Sequence, residues 1–397
     1  MKASGKVTMS GGSKVPVLLL PMSLGIGGAE THVVGLARHL SARGWDVRVA
    51  SAGGELVKDL AAAGIEHVTA PLDSRSPLDL WRAYRIVSNE IDRRRIGLVH
   101  AHARIPAWIA GRACAKREIP MAMTYHGTFV SGPFWNLFTR PGDRTIAVSA
   151  DVRDYIAREF GFNREDIVVI PNGIDLEVFR IPAPEDRDRS RRDFAVPPGS
   201  SPVVLYASRL DGDLTRVAEA AEEAALILRD KYPDLLLLVA GVGGGQEAVE
   251  GRASRVNRAA GRETVRCLGY LTETFPAYAA SDVVVGMSRV ALEAMASCRP
   301  VVVAGPGGVF GPVRPEIERA LEERNYTSRN APEALSPQAV AAQVGALLSD
   351  PAKCEALGRF GREQVAARHS MDFVTTETEG VYASLLERTG RDQGGTR

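Results

Sequence analysis

The groups in this 397-residue chain that are best suited to chemistry lie in residues 283–308, VVVGMSRVALEAMASCRPVVVAGPGG. The run 283–285 is β-branched throughout, as a buried parallel strand requires. Gly286 allows a sharp turn, and Ser288 is suited to cap a helix that begins near Arg289. That helix would set Leu292, Met295 and Ala296 on one side. Glu293 would then sit in its first turn, beside backbone N–H groups that have no helical partner. A helix start of this kind binds phosphate, and a carboxylate accepts bonds from sugar hydroxyls. Residues 301–304 resume the sheet, and GPGG at 305–308 is expected to form a loop that can approach a ligand closely. Spacing alone fits a plain strand–helix crossover with a solvated glutamate equally well.

Two further stretches bring polar groups to the ends of expected strands. Residues 15–21 form a strand that runs into SLGIGGAE at 23–30 and then an amphipathic helix over 32–42. Strand, glycine loop and helix in that order make the phosphate cradle of doubly wound folds. As a dinucleotide fingerprint it is incomplete, because Glu30 stands where the third glycine belongs. The strand 121–125 delivers His126 to its carboxyl end, where ligands bind in open α/β sheets. A histidine there is either a chemical group or a structural residue with its bonds satisfied. The aromatic stretch FVSGPFWNLF, 129–138, reads as a loop folded onto the core or as a patch facing an acceptor or a membrane.

The elements that must position these groups alternate along the chain. Helices are expected at 56–63, 78–94, 106–117 and 150–160, and strands at 46–51, 66–70, 97–101, 145–149 and 167–170. Residues 181–198 carry the run EDRDRSRRD and read as a connector. A second series starts at Pro202, with strands at 203–208, 235–240 and 265–268 and helices at 215–232, 246–260 and 272–280. Three helices follow, at 336–348, 351–368 and 371–386. The expected fold class is α/β, with two doubly wound, Rossmann-like parallel-sheet domains facing a cleft. The expected domains are 1–180 and 181–370, with 371–397 a helix and tail packing back on the first. A cleft of that kind holds a nucleotide on one side and an acceptor on the other.

Composition narrows the function classes. The net charge of +1 provides no global field for nucleic acid, and the apolar share of 45% is that of an ordinary soluble chain. The four cysteines, Cys114, Cys267, Cys298 and Cys354, form no CxxC pair and have no histidine at metal spacing. That pattern argues for a reducing compartment and against zinc. The start of the chain lacks the apolar core of a signal peptide, and 15–20 is too short to span a membrane. The expected location is cytoplasmic, with peripheral contact at the inner face of the membrane as a further expectation. The arginines at 93–95 read as a solvated helix end rather than a lipid contact.

Seven segments occur in a fixed order over roughly residues 15–385: GIGGAETHVVGLARHLSARGWDV, LVHAHARIPAWIAG, TYHG, IAVSADVRDYI, VIPNGIDLEVF, ASRLD and ALEAMASCRPVVVAGPGG. In that order they resemble the retaining glycosyltransferases of the GT-B class, in the family called group 1 or GT4. The resemblance implies transfer of a sugar from a nucleotide diphosphate to a glycan or lipid-linked acceptor, with no cofactor and no essential metal. It places Gly27 and Gly28 near the donor phosphates and the acceptor, His126 on the donor sugar, Arg209 on the diphosphate and Glu293 on the ribose. The N–H groups of Val290, Ala291 and Leu292 would complete the phosphate site, and Phe129, Phe134 and Trp135 would face the acceptor. A guanidinium with helix N–H donors can stabilise a departing diphosphate without a metal.

Three positions depart from the pattern. Val285 stands eight residues before Glu293, where the resemblance implies a glutamate for the donor sugar. Leu214 stands five residues after Arg209, where it implies a lysine, and Arg216 is the nearby substitute. One missing charge-assisted contact is worth about 1.5–3 kcal/mol. Asp211-Gly212-Asp213 resembles the acidic metal motif of another glycosyltransferase fold but reads as a turn. These departures keep open a non-catalytic or weakly active nucleotide-sugar-binding relative. A nucleotide-sugar epimerase would need added carboxylates or histidines, and an NAD-dependent oxidoreductase would need a complete glycine fingerprint.

Overall fold

The structure, a computed structural model, describes residues 15–198 and 202–394, with only the backbone of 133, 134 and 389–394. Its contacts divide the chain between Gly173 and Ile174 and again between Ser370 and Met371, so the segment from Met371 onward groups with the first unit.

The first unit runs β1 (Val17–Leu20), α1 (Gly28–Ala42), β2 (Val47–Ser51), α2 (Val57–Ala62), β3 (Glu66–Thr69), α3 (Pro77–Arg94) and β4 (Leu98–Ala101). It continues with α4 (Arg104–Ala115), β5 (Met121–Tyr125), α5 (Pro133–Phe138), β6 (Arg144–Ala147), α6 (Ala150–Phe160) and β7 (Ile167–Val169). The sheet order is β3-β2-β1-β4-β5-β6-β7, with every neighbouring pair parallel. β1 pairs with both β2 and β4, so the winding reverses there. The central strands are apolar on both sides because helices cover both faces; all four residues of β1 are buried. Residues 129–138 are not wholly a loop, since 133–138 form α5 with Pro133 in its first turn.

The second unit begins with α7 (Pro184–Asp193), β8 (Val203–Ala207), α8 (Asp213–Leu228), β9 (Leu236–Ala240), α9 (Gln246–Ala260), β10 (Val265–Gly269) and α10 (Phe275–Ala280). Then come β11 (Val283–Gly286), α11 (Arg289–Ala296), β12 (Val301–Gly305), β13 (Gly308–Pro312), α12 (Pro315–Glu322), α13 (Pro337–Leu348) and α14 (Pro351–Arg368). The order is β10-β9-β8-β11-β12-β13. Two expectations fail here. GPGG is a hairpin rather than a ligand loop, because β13 returns antiparallel to β12. Its Gly308 has φ +124°, and a Cβ there would strike the Glu333 carbonyl, so the close approach this glycine permits is to the protein's own backbone. The charged run at 184–193 is a helix rather than a connector. Arg187 and Arg191 both pair with Asp282, and Asp186 takes Arg180 and the Ala183 N–H. Those pairings turn a hydrophilic run into a strap fixed to its own unit.

The final helix, α15 (Met371–Gly394), buries Met371, Val374, Val381, Tyr382 and Leu385 in the same core as Val33, Leu36 and Leu40 of α1. Gly173 admits the Met371 side chain, since a Cβ there would collide with its sulfur. Among the described residues no helix is long and apolar enough to cross a membrane.

One buried group costs the second unit stability. Glu222 of α8 is fully buried, and neither carboxylate oxygen has a hydrogen-bond partner. Burial pushes its carboxyl up to about 8, against the partial pull of Arg252. The folded state therefore holds a proton that the unfolded state releases above the ordinary glutamate range. Stability is present at low pH and is lost as pH rises through about 8. Glu222→Met should raise the calorimetric unfolding temperature more at pH 8 than at pH 5; an equal gain at both would contradict the assignment.

Candidate active site

In the first unit, side chains from β4, β5 and α1 meet at the carboxyl edge of the sheet. His126 follows β5, and His100 and His102 come from the end of β4 (HAH in sequence). His126 Nδ1 lies 3.1 Å from Asn172 Oδ1, and its Nε2 lies 3.1 Å from His102 Nδ1. An amide oxygen only accepts, so His126 Nδ1 carries the proton and its Nε2 accepts from His102. That leaves His102 Nε2 as a bare lone pair, buried without a partner. His100 bonds the Tyr382 hydroxyl of α15 and Thr124 Oγ1, both at 2.7 Å, and its ring lies 4.1 Å from that of His102. His32 of α1 completes the group, its ring 5.2 Å from His126 and its Nδ1 accepting the Gly173 N–H. Burial pushes His100 down to about 3 and His126 to about 4, and holds His102 well below the usual range. Sequence reasoning singled out His126 and missed the other three. The available signal was HAH at the end of one strand and His126 at the end of its neighbour.

At Gly27 and Gly28 the phosphate reading meets a competing charge. Gly27 precedes α1 in extended conformation, and a Cβ there would strike the Glu30 carboxylate folded over the helix start. A negative group already faces these N–H donors, which favours hydroxyls over phosphate at this point. Phe129 packs 5.7 Å from Tyr125, and Trp135 lies half-buried in α5. The side chain of Phe134 lies outside the described residues.

In the second unit, Arg209 follows β8, exposed and without a carboxylate partner among the described residues. Arg216 is on the exposed side of α8, 3.8 Å from Asp213. Asp211 Oδ1 accepts the Gly244 N–H at 2.8 Å and latches one loop to the next. Among the described residues no three His, Cys, Asp or Glu side chains gather as a metal site would require.

The start of α11 differs from expectation in four respects. Ser288 makes no capping bond to its helix; its N–H donates to the Tyr326 carbonyl at 2.8 Å, and its hydroxyl accepts from Asn325 at 3.3 Å. Glu293 lies in the second turn and is 7% exposed. Arg289 Nε donates to its Oε1 at 2.7 Å, and the Tyr278 hydroxyl donates to its Oε2 at 2.8 Å. Leu292 spends its N–H on the Ser288 carbonyl at 3.1 Å, which leaves Val290 and Ala291 as the amides for a ligand. Val285 lies inside β11, 1% exposed, packed with Val204, Ala221, Val340 and Val344. Only Met287 and Ser288 separate strand from helix, so the position eight residues before Glu293 falls in the apolar sheet, where a carboxylate would be unsolvated.

Residues 26–178 match the model of Glycosyltransferase Family 4, and residues 201–350 match that of Glycosyl transferases group 1. The chain belongs to the group 1, family 4 glycosyltransferases. D-inositol 3-phosphate glycosyltransferase 1 of Catenulispora acidiphila is 28% identical over 330 residues, which is 73% of this chain and 72% of that one. A glycosyltransferase from Rickettsia africae superposes with TM-score 0.78 at 18% identity, over 94% of this chain and 99% of that one. Anabaena Alr3699/HepE, solved in complex with UDP, superposes with TM-score 0.74 at 19% identity, over 94% and 100%. The fold is of the GT-B type, and the protein is a glycosyltransferase enzyme.

The histidine group of this glycosyltransferase sets a pH limit on its first unit. His100, His102 and His126 are neutral in the folded state, whereas unfolded histidines gain protons below about 6.5. Stability is therefore present above pH 6.5 and is lost as pH falls through about 4. All four tryptophans, Trp45, Trp81, Trp108 and Trp135, belong to the first unit, so their fluorescence follows it alone. The denaturant midpoint read by tryptophan should fall between pH 6.5 and 4, and His102→Gln should flatten that fall. A midpoint independent of pH would contradict the buried neutral group.

Proposed function

We propose that this glycosyltransferase moves a sugar from a nucleotide diphosphate to a glycan or lipid-linked acceptor, with retained configuration and without a metal. The observation that carries the reading is Arg209, an exposed guanidinium at the carboxyl end of β8 with no carboxylate partner among the described residues. The neighbouring strand, β11, ends at the start of α11, with Arg289 as its first residue. Arg209, Arg289 and the amides of Val290 and Ala291 supply positive potential for a leaving diphosphate. Bonding weakens at the anomeric carbon while negative charge grows on the phosphate. The acceptor hydroxyl then attacks the face that the phosphate leaves and gives its proton to a phosphate oxygen. Glu293 acts by holding Arg289 through Oε1, while Tyr278 holds its Oε2. His126, in the first unit, is held as a neutral ring by Asn172 and His102. Leu214 adds no charge, and the role of the absent lysine passes to Arg289 rather than to the exposed Arg216. The Anabaena neighbour was solved with UDP and with UDP-glucose, which makes UDP sugars the first donors to try. A cytoplasmic enzyme with peripheral membrane contact suits a lipid-linked acceptor.

Titration of UDP, uridine and UDP-, GDP-, ADP- and CMP-sugars tests this reading. Arg209→Gln should weaken UDP about tenfold or more while leaving uridine unchanged. Glu293→Gln should do the same if it acts through Arg289, whereas equal losses for UDP and uridine would put the ribose on Glu293 itself. One donor should be slowly hydrolysed by the wild type. Tight donor binding without turnover, even with cell-extract acceptors, would favour the weakly active binding protein that Val285 and Leu214 suggest. No binding by any nucleotide sugar would end the donor reading.

A further inference from the structure

The loops after β3, β4 and β5 converge on one ring. Arg75 lies between β3 and α3, Arg104 opens α4, and Phe129 and Trp135 follow β5. The guanidinium carbons of Arg75 and Arg104 each lie 4.4 Å from the centroid of the Trp135 ring, and that of Arg104 also lies 5.0 Å from Phe129. Among the described residues neither arginine pairs with a carboxylate. The bond Arg104 makes is from Nη1 to the Val130 carbonyl, at 3.1 Å. Burial lowers the Arg104 pKa, and the charge of Arg75 lowers it further. Elsewhere Arg43, Arg117, Arg187, Arg191 and Arg252 each rest on carboxylates, while Arg85 and Arg112 stack singly on Trp81 and Trp108.

Two like charges on one indole repel each other, and an aromatic quadrupole returns only part of that cost. An anion that both guanidinium groups contact relieves the repulsion. Stacking also fixes each guanidinium as a flat fork, and such forks grip phosphate oxygens through their in-plane N–H groups. Arg104 stands two residues beyond His102, the partner of His126, which ties the pair to the same carboxyl edge of the sheet.

We propose that Arg75 and Arg104, stacked against Trp135, form the subsite for a phosphate group carried by the acceptor, so that the sugar is transferred to a hydroxyl of a phosphate ester. This rests on the transferase reading and adds the acceptor's chemical class to it. Two sources share that chemistry, a water-soluble sugar phosphate and a phosphate headgroup on a lipid. Val130 and Leu137, 72% and 53% exposed, lie in the same connection as Trp135, where an apolar chain would meet them.

The full-length protein should be titrated with glucose 6-phosphate, glycerol 3-phosphate and monomeric dihexanoyl phosphatidic acid, beside glucose and glycerol. The wild type should bind the phosphate esters, more weakly as salt rises, and not the uncharged parents. Arg75→Gln and Arg104→Gln should each weaken binding about tenfold, and the lysine variants by less. If Arg104→Gln fails to fold, exposed Arg75→Gln carries the test. UDP titrated into the same samples reports the donor side separately, so a protein that binds phosphate esters but no nucleotide fails the transferase reading alone. Equal binding of esters and parents, or glutamine variants that bind the esters unchanged, overturns the subsite. Within a supported subsite, phosphatidic acid bound more tightly than glycerol 3-phosphate, with the difference lost in Leu137→Ser, identifies the lipid source. Equal binding of the two identifies the soluble one.

Discussion

β4, β5, β8 and β11, which lead to most of the candidate residues, are buried along their whole length, and that burial decides where chemistry can occur. A polar side chain within such a strand loses its water and is tolerated only where partners replace it, as Tyr382 and Thr124 do for His100. Functional groups are confined to the few residues beyond each carboxyl end, where a loop or a helix start returns the chain to solvent. His126 after β5, Arg104 after β4, Arg75 after β3, Arg209 after β8 and Arg289 after β11 all obey this limit. Val285 illustrates its reverse. It lies one residue inside the end of β11, so its side chain serves the core, and no substitution there could supply a solvated carboxylate without rebuilding the turn.

The two units meet the limit with different electrostatics, although Arg75 and Arg104 bring cations to the first as well. The strand ends of the first unit hold neutral imidazoles whose nitrogens are spent mostly on one another, on Asn172 and on Tyr382. Such a group contributes shape and fixed dipoles rather than charge, because burial outweighs the tendency of any one ring to protonate. The strand ends of the second unit hold cations. One is exposed and unpaired among the described residues; the other is fixed by a buried glutamate four residues along its helix. A fixed cation loses less freedom when an anion arrives than a mobile lysine does. The Arg289–Glu293 pair is therefore more than a surface i,i+4 bridge, since Tyr278 holds the carboxylate from the other side.

Much of this was legible in the sequence, for a local reason. β-branched runs, glycine turns and helical apolar periods act over a few residues, so the strands at 121–125 and 283–285 and the helices at 150–160 and 246–260 could be placed without tertiary knowledge. What was missed depends on contacts far apart in the chain. The charged run at 184–193 folds because Asp282, almost a hundred residues on, accepts two of its arginines. The histidine group joins residues 32, 100, 102, 126 and 382. The hairpin at 305–308 looked like a ligand loop because glycine permits close approach, and the sequence does not say whether a ligand or the backbone at Glu333 approaches.

The start of α11 shows how a misread cap can still mark a site. Serine is a good capping residue in extended conformation, but Ser288 has φ +53° and ψ −124°, a region that suits glycine. Its partners Asn325 and Tyr326 have φ of +53° and +51°. Three adjoining non-glycine residues in left-handed backbone are costly, and such strain persists only where the surroundings over-determine it. Here the surroundings are the Ser288–Tyr326 and Ser288–Asn325 bonds, which fix a turn of only two residues between strand and helix. That short turn brings Arg289 directly to the strand edge and withholds the Leu292 amide from it. The same geometry that keeps position 285 within the apolar sheet thus brings Arg289 to the strand edge, and both placements are consequences of one tight turn.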